Sequence, residues 1–153
     1  MEKVWGFLHL FFAFSFAGSL VVAEWNGRAA RATTDWAQRA LLFQIVTMSS
    51  RVAGVGGLIL LGVFGNLWSL MAGYRMSTDT WPRAVNGLWL VTVALLTIMV
   101  LPAAARLHRM AVSGASGGTT EGWDATLTRW RLGNIMLSVL YLGLLLLMVS
   151  HWR

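Results

Sequence analysis

The chain has 153 residues, of which 57% are hydrophobic and only 12% are charged, whereas a soluble domain carries about 25% charged residues. Cysteine is absent, which excludes disulfides, thiolate metal sites and iron–sulfur clusters. The net charge of +6 does not indicate nucleic-acid binding, because the arginines fall at predicted helix ends and in short loops. Anionic headgroups of membrane lipids are the expected partner of such arginines.

Four apolar segments dominate the sequence, and each is long enough to cross a bilayer, for which about 20 helical residues suffice. Asp and Glu are absent from all four segments, which cover residues 4–23, 52–73, 84–105 and 132–150. A chain of this length leaves room for little else. The sequence therefore predicts an all-α integral membrane four-helix bundle that forms one domain over residues 1–153.

The first segment contains His9, which is surrounded by phenylalanines. A histidine in hydrocarbon is costly unless it has a partner or a purpose. Neutral imidazole is a common axial ligand of haem iron, so His9 is a candidate cofactor-binding residue, and a metal ligand if haem is bound. The alternative is a structural hydrogen bond to another helix, with Asn66 or Asn86 as the partner at a similar depth.

The second segment has an ambiguous beginning. Asp35 can cap a helix that begins near Trp36. Residues 36–50 then either continue into the second span and project from the membrane, or lie flat on its surface with a bend near Ser50. Arg51 is correspondingly either a buried charge that needs a carboxylate, a haem propionate or backbone carbonyls, or a snorkelling surface residue.

Small residues mark one face of the second segment, where Gly65, Ser69 and Gly73 recur every four residues. Close approach of backbones supplies contact energy between helices in lipid. These positions either seat neighbouring helices or leave room for a flat cofactor or a lipid tail. Trp68 and Trp89, which lie deeper than the interfacial tryptophans, are interpreted as packing or lipid-contacting residues.

The second half of the chain has clearer boundaries. The capping residues before Trp81, followed by Pro82, predict the start of the third helix, and Pro102 predicts a kink or an end near its other terminus. Residues 111–126, rich in Gly, Ser and Thr, predict a flexible cytoplasmic linker. His151, which follows the leucine-rich fourth segment, is either a second haem ligand on the side of His9 or an interfacial residue.

Four spans place both termini on one side of the membrane, here named side A, and the two longer connections on the opposite side B. Side B carries more arginine, which predicts that it is cytoplasmic and that both termini are periplasmic. The basic residues on side A are Lys3, Arg75, Arg83 and Arg153, and those on side B are Arg28, Arg31, Arg39, Arg106, Arg109, Arg129 and Arg131. The expected location is the bacterial inner (cytoplasmic) membrane, crossed several times.

Three short motifs stand out over residues 4–107: Phe7-Leu8-His9-Leu10 with Gly18, Arg51 with the glycines of 54–65, and Trp81. With these motifs the chain resembles a group of small bacterial four-helix membrane proteins. The group comprises CopD-type copper-resistance domains, HemJ-type protoporphyrinogen oxidases and uncharacterised predicted integral membrane proteins. The resemblance implies a four-helix architecture and, from the HemJ-type enzymes, a haem b ligand at His9, although Asn86 marks the third helix where that family has a lysine.

These features predict a non-catalytic accessory or structural subunit of a larger bacterial membrane complex involved in electron transfer, with other membrane-protein subunits as partners. The alternative is a haem-b-binding membrane protein, such as a HemJ-like oxidase, with His9 as axial ligand. A permease is disfavoured because no polar pathway crosses the predicted bundle. No catalytic residue is predicted, and the residues of the candidate haem or polar site are His9, Asn66, Asn86, His151 and Arg51.

Overall fold

The computed structural model describes residues 2–75 and 78–150, and the regular structure within them is entirely helical. All four helices in this part of the chain are long and apolar enough to cross a membrane. This confirms the prediction of an all-α chain with four potential membrane spans. The helices are α1 (Glu2–Ala32), α2 (Trp36–Met71), α3 (Thr80–Ala115) and α4 (Trp123–Ser150).

Helix α2 begins at Trp36 and runs through residues 36–50 into the second span without interruption. The side chain of Asp35 caps it by accepting a hydrogen bond from the Ala37 N–H at 2.9 Å. Of the two alternatives for residues 36–50, the continuous helix is therefore the one that forms. Within it, Ser50–Gly56 is π-helical. This conformation is rare in proteins, and where it occurs it is often found at functional sites.

The end of α2 is set by Gly73, which adopts a positive φ of 87°. The N–H of Tyr74 bonds back to the carbonyl of Ser69 at 3.1 Å, which closes the last turn. Glycine is favoured here because an L side chain is strained at positive φ. Gly73 thus terminates the helix, and it does not belong to a packing stripe with Gly65 and Ser69.

Helix α3 passes through Pro102 and continues to Ala115, so the helix does not end where proline predicts. A proline ring clashes with the carbonyl four residues earlier, which in α3 belongs to Ile98. That residue lies in a second π-helical segment, Leu95–Val100. Local π adjustments of this kind accommodate proline in membrane helices.

The connection between α3 and α4 covers residues 116–122 and is shorter than the predicted linker 111–126. Residues 111–115 extend α3, and 123–126 already belong to α4. Gly117 has a positive φ of 78°, and the Gly118 N–H bonds to the Ser113 carbonyl at 2.8 Å. These two glycines therefore form a C-cap of α3, within a stretch that composition alone predicts to be flexible.

Contacts between helix ends identify the side A edge of the bundle. Trp5 of α1 stacks on Phe64 of α2 with ring centroids 5.7 Å apart. The indole N–H of Trp81, at the start of α3, donates to the carbonyl of Leu147 near the end of α4 at 3.0 Å. The start of α1, the end of α2, the start of α3 and the end of α4 therefore lie together.

The bundle is longer than a membrane is thick. Helices α2 and α3 have 36 residues each, or about 54 Å, against about 30 Å of hydrocarbon. Counted from the side A edge, the hydrocarbon ends near the level of Glu24, Arg51 and Arg131, roughly 20 residues along each helix. In a bilayer of that thickness the part beyond this level would project from the membrane. This part, named the head, comprises residues 24–32, 36–50, 101–115 and 123–131.

The head has an aromatic core. The ring of Phe43 packs edge-on against Trp123 and Trp130, with centroids 5.7 and 5.3 Å away. The guanidinium of Arg39 lies 4.3 Å from the centroid of the Trp36 ring and 5.3 Å from that of Trp123, within cation–π range. Packing in the head therefore relies on large rings and one cation.

Candidate ligand-binding cavity

Helices α2 and α3 separate from each other towards side A. Their segments Trp36–Ser49 and Leu101–Ala115 are in close contact, whereas Gly57–Met71 and Thr80–Ala94 touch only sparsely. The change occurs where the two π-helical segments lie side by side, with Gly54 facing Leu96. Between this level and side A, the four helices line a cavity of about 550 Å³.

The walls of the cavity are mainly aliphatic and aromatic, and all four helices contribute to them. Its polar lining is limited to a few groups that include His9, Asn66, Asn86 and Ser69. None of the described residues that line it is charged at neutral pH. A concave, mostly apolar site with a few convergent polar groups is typical of small-molecule and cofactor sites.

His9 is the most buried polar group of the cavity, with 5% of its surface exposed. Its Nδ1 lies 3.0 Å from the carbonyl oxygen of Leu61 on α2. Because a carbonyl only accepts, we assign the proton to Nδ1, which leaves Nε2 as the unprotonated nitrogen of the neutral ring. Among the described residues no hydrogen-bond partner of Nε2 is present, and the ring belongs to the cavity lining.

Two glycines of α2 make room for the side chains that line the cavity. A β-carbon on Gly65 would come within 2.8 Å of Cε1 and Nδ1 of His9, and one on Gly62 would overlap the ring of Trp89. The indole N–H of Trp89 donates to the carbonyl of Leu58 at 2.8 Å. These glycines therefore seat side chains from α1 and α3, and those side chains in turn form the cavity wall.

Asn66 and Asn86 bind each other across the gap between α2 and α3. Each side-chain amide donates to the other's carbonyl oxygen, at 3.0 and 2.9 Å, and Asn66 also donates to the carbonyl of Gly62 at 2.9 Å. His9 is hydrogen-bonded to another helix, as the structural alternative expected. Its partner is a backbone carbonyl rather than an asparagine, because the two asparagines satisfy one another.

Of the other predicted site residues, Arg51 does not join this group. Arg51 is exposed on the surface of α2 at the side B level, which removes the need for a buried counter-charge. His151 lies outside the described residues. His108 makes the same kind of bond as His9, from Nδ1 to the Ala40 carbonyl at 3.0 Å, but it does so in the head.

Two lining residues are absent from the predicted site set. The sequence predicts packing or lipid contact for Trp89, although an indole N–H inside a membrane needs an acceptor, and this requirement could have indicated an interhelical bond. Ser69 belongs to the stripe predicted either to seat neighbouring helices or to leave room for a cofactor or lipid tail, and its hydroxyl is buried at the cavity without a hydrogen-bond partner among the described residues. No sequence pattern distinguishes these two uses of a serine.

The donor set limits which metal groups the cavity can hold. Across residues 2–75 and 78–150, no three His, Asp or Glu side chains lie together as metal ligands. A bare metal ion would therefore lack ligands from this part of the chain. Haem iron, which already has four porphyrin nitrogens, needs only one or two protein ligands and is compatible with a single imidazole.

Comparison of the chain with models of known protein families, with curated proteins and with solved structures finds no significant match. The resemblance to CopD-type and HemJ-type proteins thus stays a prediction from short motifs.

Proposed function

We propose that the protein is a non-catalytic accessory subunit of a larger bacterial membrane complex in electron transfer, and that it holds a flat, apolar, redox-active molecule in the cavity. The observation that carries this proposal is a largely apolar cavity that brings together His9, whose Nε2 has no hydrogen-bond partner among the described residues, and the hydroxyl of Ser69. That hydroxyl is buried without a described partner, and because buried polar groups nearly always have one, the exception requires a reason. A bound molecule supplies that reason.

A holding role agrees with the chemistry of the lining. Acid–base work inside a membrane normally uses carboxylates there, and no described lining residue is an Asp or Glu. Electron transfer requires only that the redox group be positioned by its surroundings. The walls and the single imidazole meet this requirement.

The outer face of α4 supports a role as a subunit. Within residues 132–149 its large exposed side chains are apolar and recur at helical spacing; they include Leu132, Ile135, Val139, Leu142 and Leu146. Such a face suits lipid or the helix of a neighbouring subunit. The proposal assigns part of this face to a neighbouring subunit.

Purification in a mild detergent tests the subunit proposal. The tagged protein is expected to migrate on native gels with larger proteins, which mass spectrometry would identify as redox components. Leu142→Trp on the exposed face of α4 should weaken this association, and Phe14→Trp on the exposed face of α1 should not. Migration only as a monomer or self-oligomer would contradict the proposal.

Haem b at His9 is the second candidate, and the bond from His9 Nδ1 to Leu61 favours it. Metal-ligating histidines almost always donate the other ring N–H to a carbonyl or carboxylate, which fixes the tautomer and the ring. A bound haem would supply one-electron transfer. Because no lysine or arginine lines the cavity in the described chain, the haem carboxylates would need to reach its mouth, where Arg75 follows Tyr74.

A visible absorption spectrum of the purified protein tests the haem candidate. A Soret band that disappears in His9→Ala and persists in His108→Ala would support it, since the two histidines are bonded alike but lie in different parts of the bundle. Absence of the band in the unmodified protein would eliminate the candidate.

We also propose that the protein resides in the bacterial inner membrane with the cavity nearer the periplasm and the head in the cytoplasm. The support is the arginine distribution, since cytoplasmic segments near spans carry an excess of positive charge.

A further inference from the structure

We infer that the molecule held in the cavity is a hydroquinone, a neutral, flat, lipid-soluble ring whose hydroxyl group donates a hydrogen bond to Nε2 of His9. This inference rests on the proposed function and specifies its ligand. It concerns binding alone.

The first argument is the fixed direction of the hydrogen bond at His9. The Nδ1–H of His9 donates to the carbonyl of Leu61, so the ring has a lone pair and no proton at Nε2. Turning the ring to present Nδ1 would break that bond and displace the imidazole from its seat on Gly65. A ligand must therefore bring its own donor.

The second argument is that the amide of Asn66 and the indole of Trp89, two donors of the cavity lining, are already used within the protein. Both amide protons of Asn66 are used, one towards Gly62 and one towards Asn86. The indole N–H of Trp89 is taken by the carbonyl of Leu58. A ketone oxygen would find few donors among these groups, whereas a hydroxyl finds its acceptor at His9. The hydroxyl of Ser69 does not discriminate between a ketone and a hydroxyl on the ligand, because it can both donate and accept a hydrogen bond.

The third argument concerns charge and shape. The absence of charged groups from the described lining disfavours ligands with carboxylates or phosphates, since a charge in such an enclosure needs a partner. The indole rings of Trp68 and Trp89 line the cavity and suit a flat aromatic ring. A volume of about 550 Å³ accommodates such a ring and the beginning of an apolar tail.

The site therefore distinguishes the two redox forms of one ring. The reduced form donates an O–H to Nε2, whereas the oxidised form places a carbonyl lone pair against the nitrogen lone pair. Loss of one hydrogen bond with desolvation of its acceptor corresponds to about a tenfold difference in affinity.

The experiment is a titration of detergent-solubilised protein with menadiol under anaerobic reducing conditions, and with menadione, followed by tryptophan fluorescence and calorimetry. We expect menadiol to bind about tenfold more tightly than menadione. His9→Ala should remove this preference, and His108→Ala should retain it. Because His9→Ala could also disturb folding, helical circular dichroism is recorded for each variant, and His9→Gln provides a second test. Its amide both donates and accepts, so the preference should disappear while binding persists.

Equal or tighter binding of menadione by the unmodified protein would overturn the inference, and so would an unchanged preference in a folded His9→Ala variant. A Soret band that depends on His9, without menadiol binding, would also overturn it and leave the subunit proposal intact. If the protein binds menadiol more tightly than menadione but never migrates with larger partners, the hydroquinone inference is supported and the subunit proposal is contradicted.

Discussion

The imidazole of His9 rests on the backbone of Gly65, so closely that a β-carbon at position 65 would lie 2.8 Å from Cε1 and Nδ1 of the ring. The position of the histidine on α1 thus depends on the absence of a side chain on α2. The bond from Nδ1 to the carbonyl of Leu61, one turn away, fixes the ring in the same place.

We expect Gly65→Ala to displace His9 and to lower the free energy of unfolding by about 1–3 kcal/mol, the usual cost of overpacking. Menadiol binding should weaken as well, because Nε2 moves with the ring. Thermal unfolding in detergent and the fluorescence titration measure the two effects. Gly87→Ala is the matched control, since no heavy atom lies within 4 Å of a β-carbon at that position. Equal unfolding free energies and equal menadiol affinities in the two variants would show that the contact between His9 and Gly65 is unimportant.

The pair Asn66 and Asn86 should show energetic coupling. In a double-mutant cycle with alanine, we expect a coupling free energy of about 0.6 kcal/mol and at most about 1.7 kcal/mol, as for polar pairs in other membrane proteins. The two hydrogen bonds of the pair, at 3.0 and 2.9 Å, are the reason. Unfolding in mixed micelles provides the four free energies. Strict additivity of the single substitutions would contradict the pairing.

Replacing Trp89 by Phe keeps an aromatic ring in the wall but removes the donor to the Leu58 carbonyl. We expect a loss of about 0.5–1.5 kcal/mol in unfolding free energy, the net value of one hydrogen bond. Trp25→Phe is the control, because Trp25 is 75% exposed. Comparable losses in both variants would mean that ring size, and not the bond, determines the effect.

Arg39→Met should destabilise the head. The substitution keeps an apolar stem but removes the cation over Trp36 and the bond from Nε to the carbonyl of Ala30. We expect a loss of about 1–2 kcal/mol, the sum of a cation–π contact and a hydrogen bond near the surface. Urea titration followed by near-ultraviolet circular dichroism reports on the aromatic core. The exposed Arg109, replaced in the same way, should leave the midpoint unchanged.

The orientation is tested by single cysteines in a sequence that has none. Ser116→Cys should react with a membrane-impermeant maleimide only after the inner membrane is permeabilised, and Thr78→Cys should react in intact spheroplasts. These positions lie in loops at opposite ends of the bundle. The reverse pattern would overturn the orientation inferred from the arginines.

Much of the architecture could be predicted from the sequence, because a membrane span requires a long apolar segment and hydropathy records it directly. The Asp35 cap also follows from a local pattern. The π-helical segments could not be predicted in the same way. Pro102 predicts a distortion near the second of them, but no local periodicity encodes the first, Ser50–Gly56, or the contact between the two segments at Gly54 and Leu96.

The candidate site was predictable only in part. A histidine in hydrocarbon draws attention because its burial is costly, and the asparagines were expected at a similar depth. The partner of His9 was not predictable, since every residue of α2 carries a backbone carbonyl and the sequence does not distinguish that of Leu61. The unpartnered hydroxyl of Ser69 likewise emerges only from the fold.

Helices α2 and α3 are longer than the hydrocarbon core of a bilayer is thick, so this pair of helices would lie partly in lipid and partly in water. Around the aromatic core of the head, exclusion of water provides the driving force for packing, whereas around the cavity that force is absent and van der Waals contacts and polar bridges must suffice. Urea, which weakens hydrophobic association in water, should therefore loosen Phe43 and Trp130 at concentrations that leave the span around His9 assembled. The two halves of one helix would then melt in separate transitions, with the cavity outlasting the head.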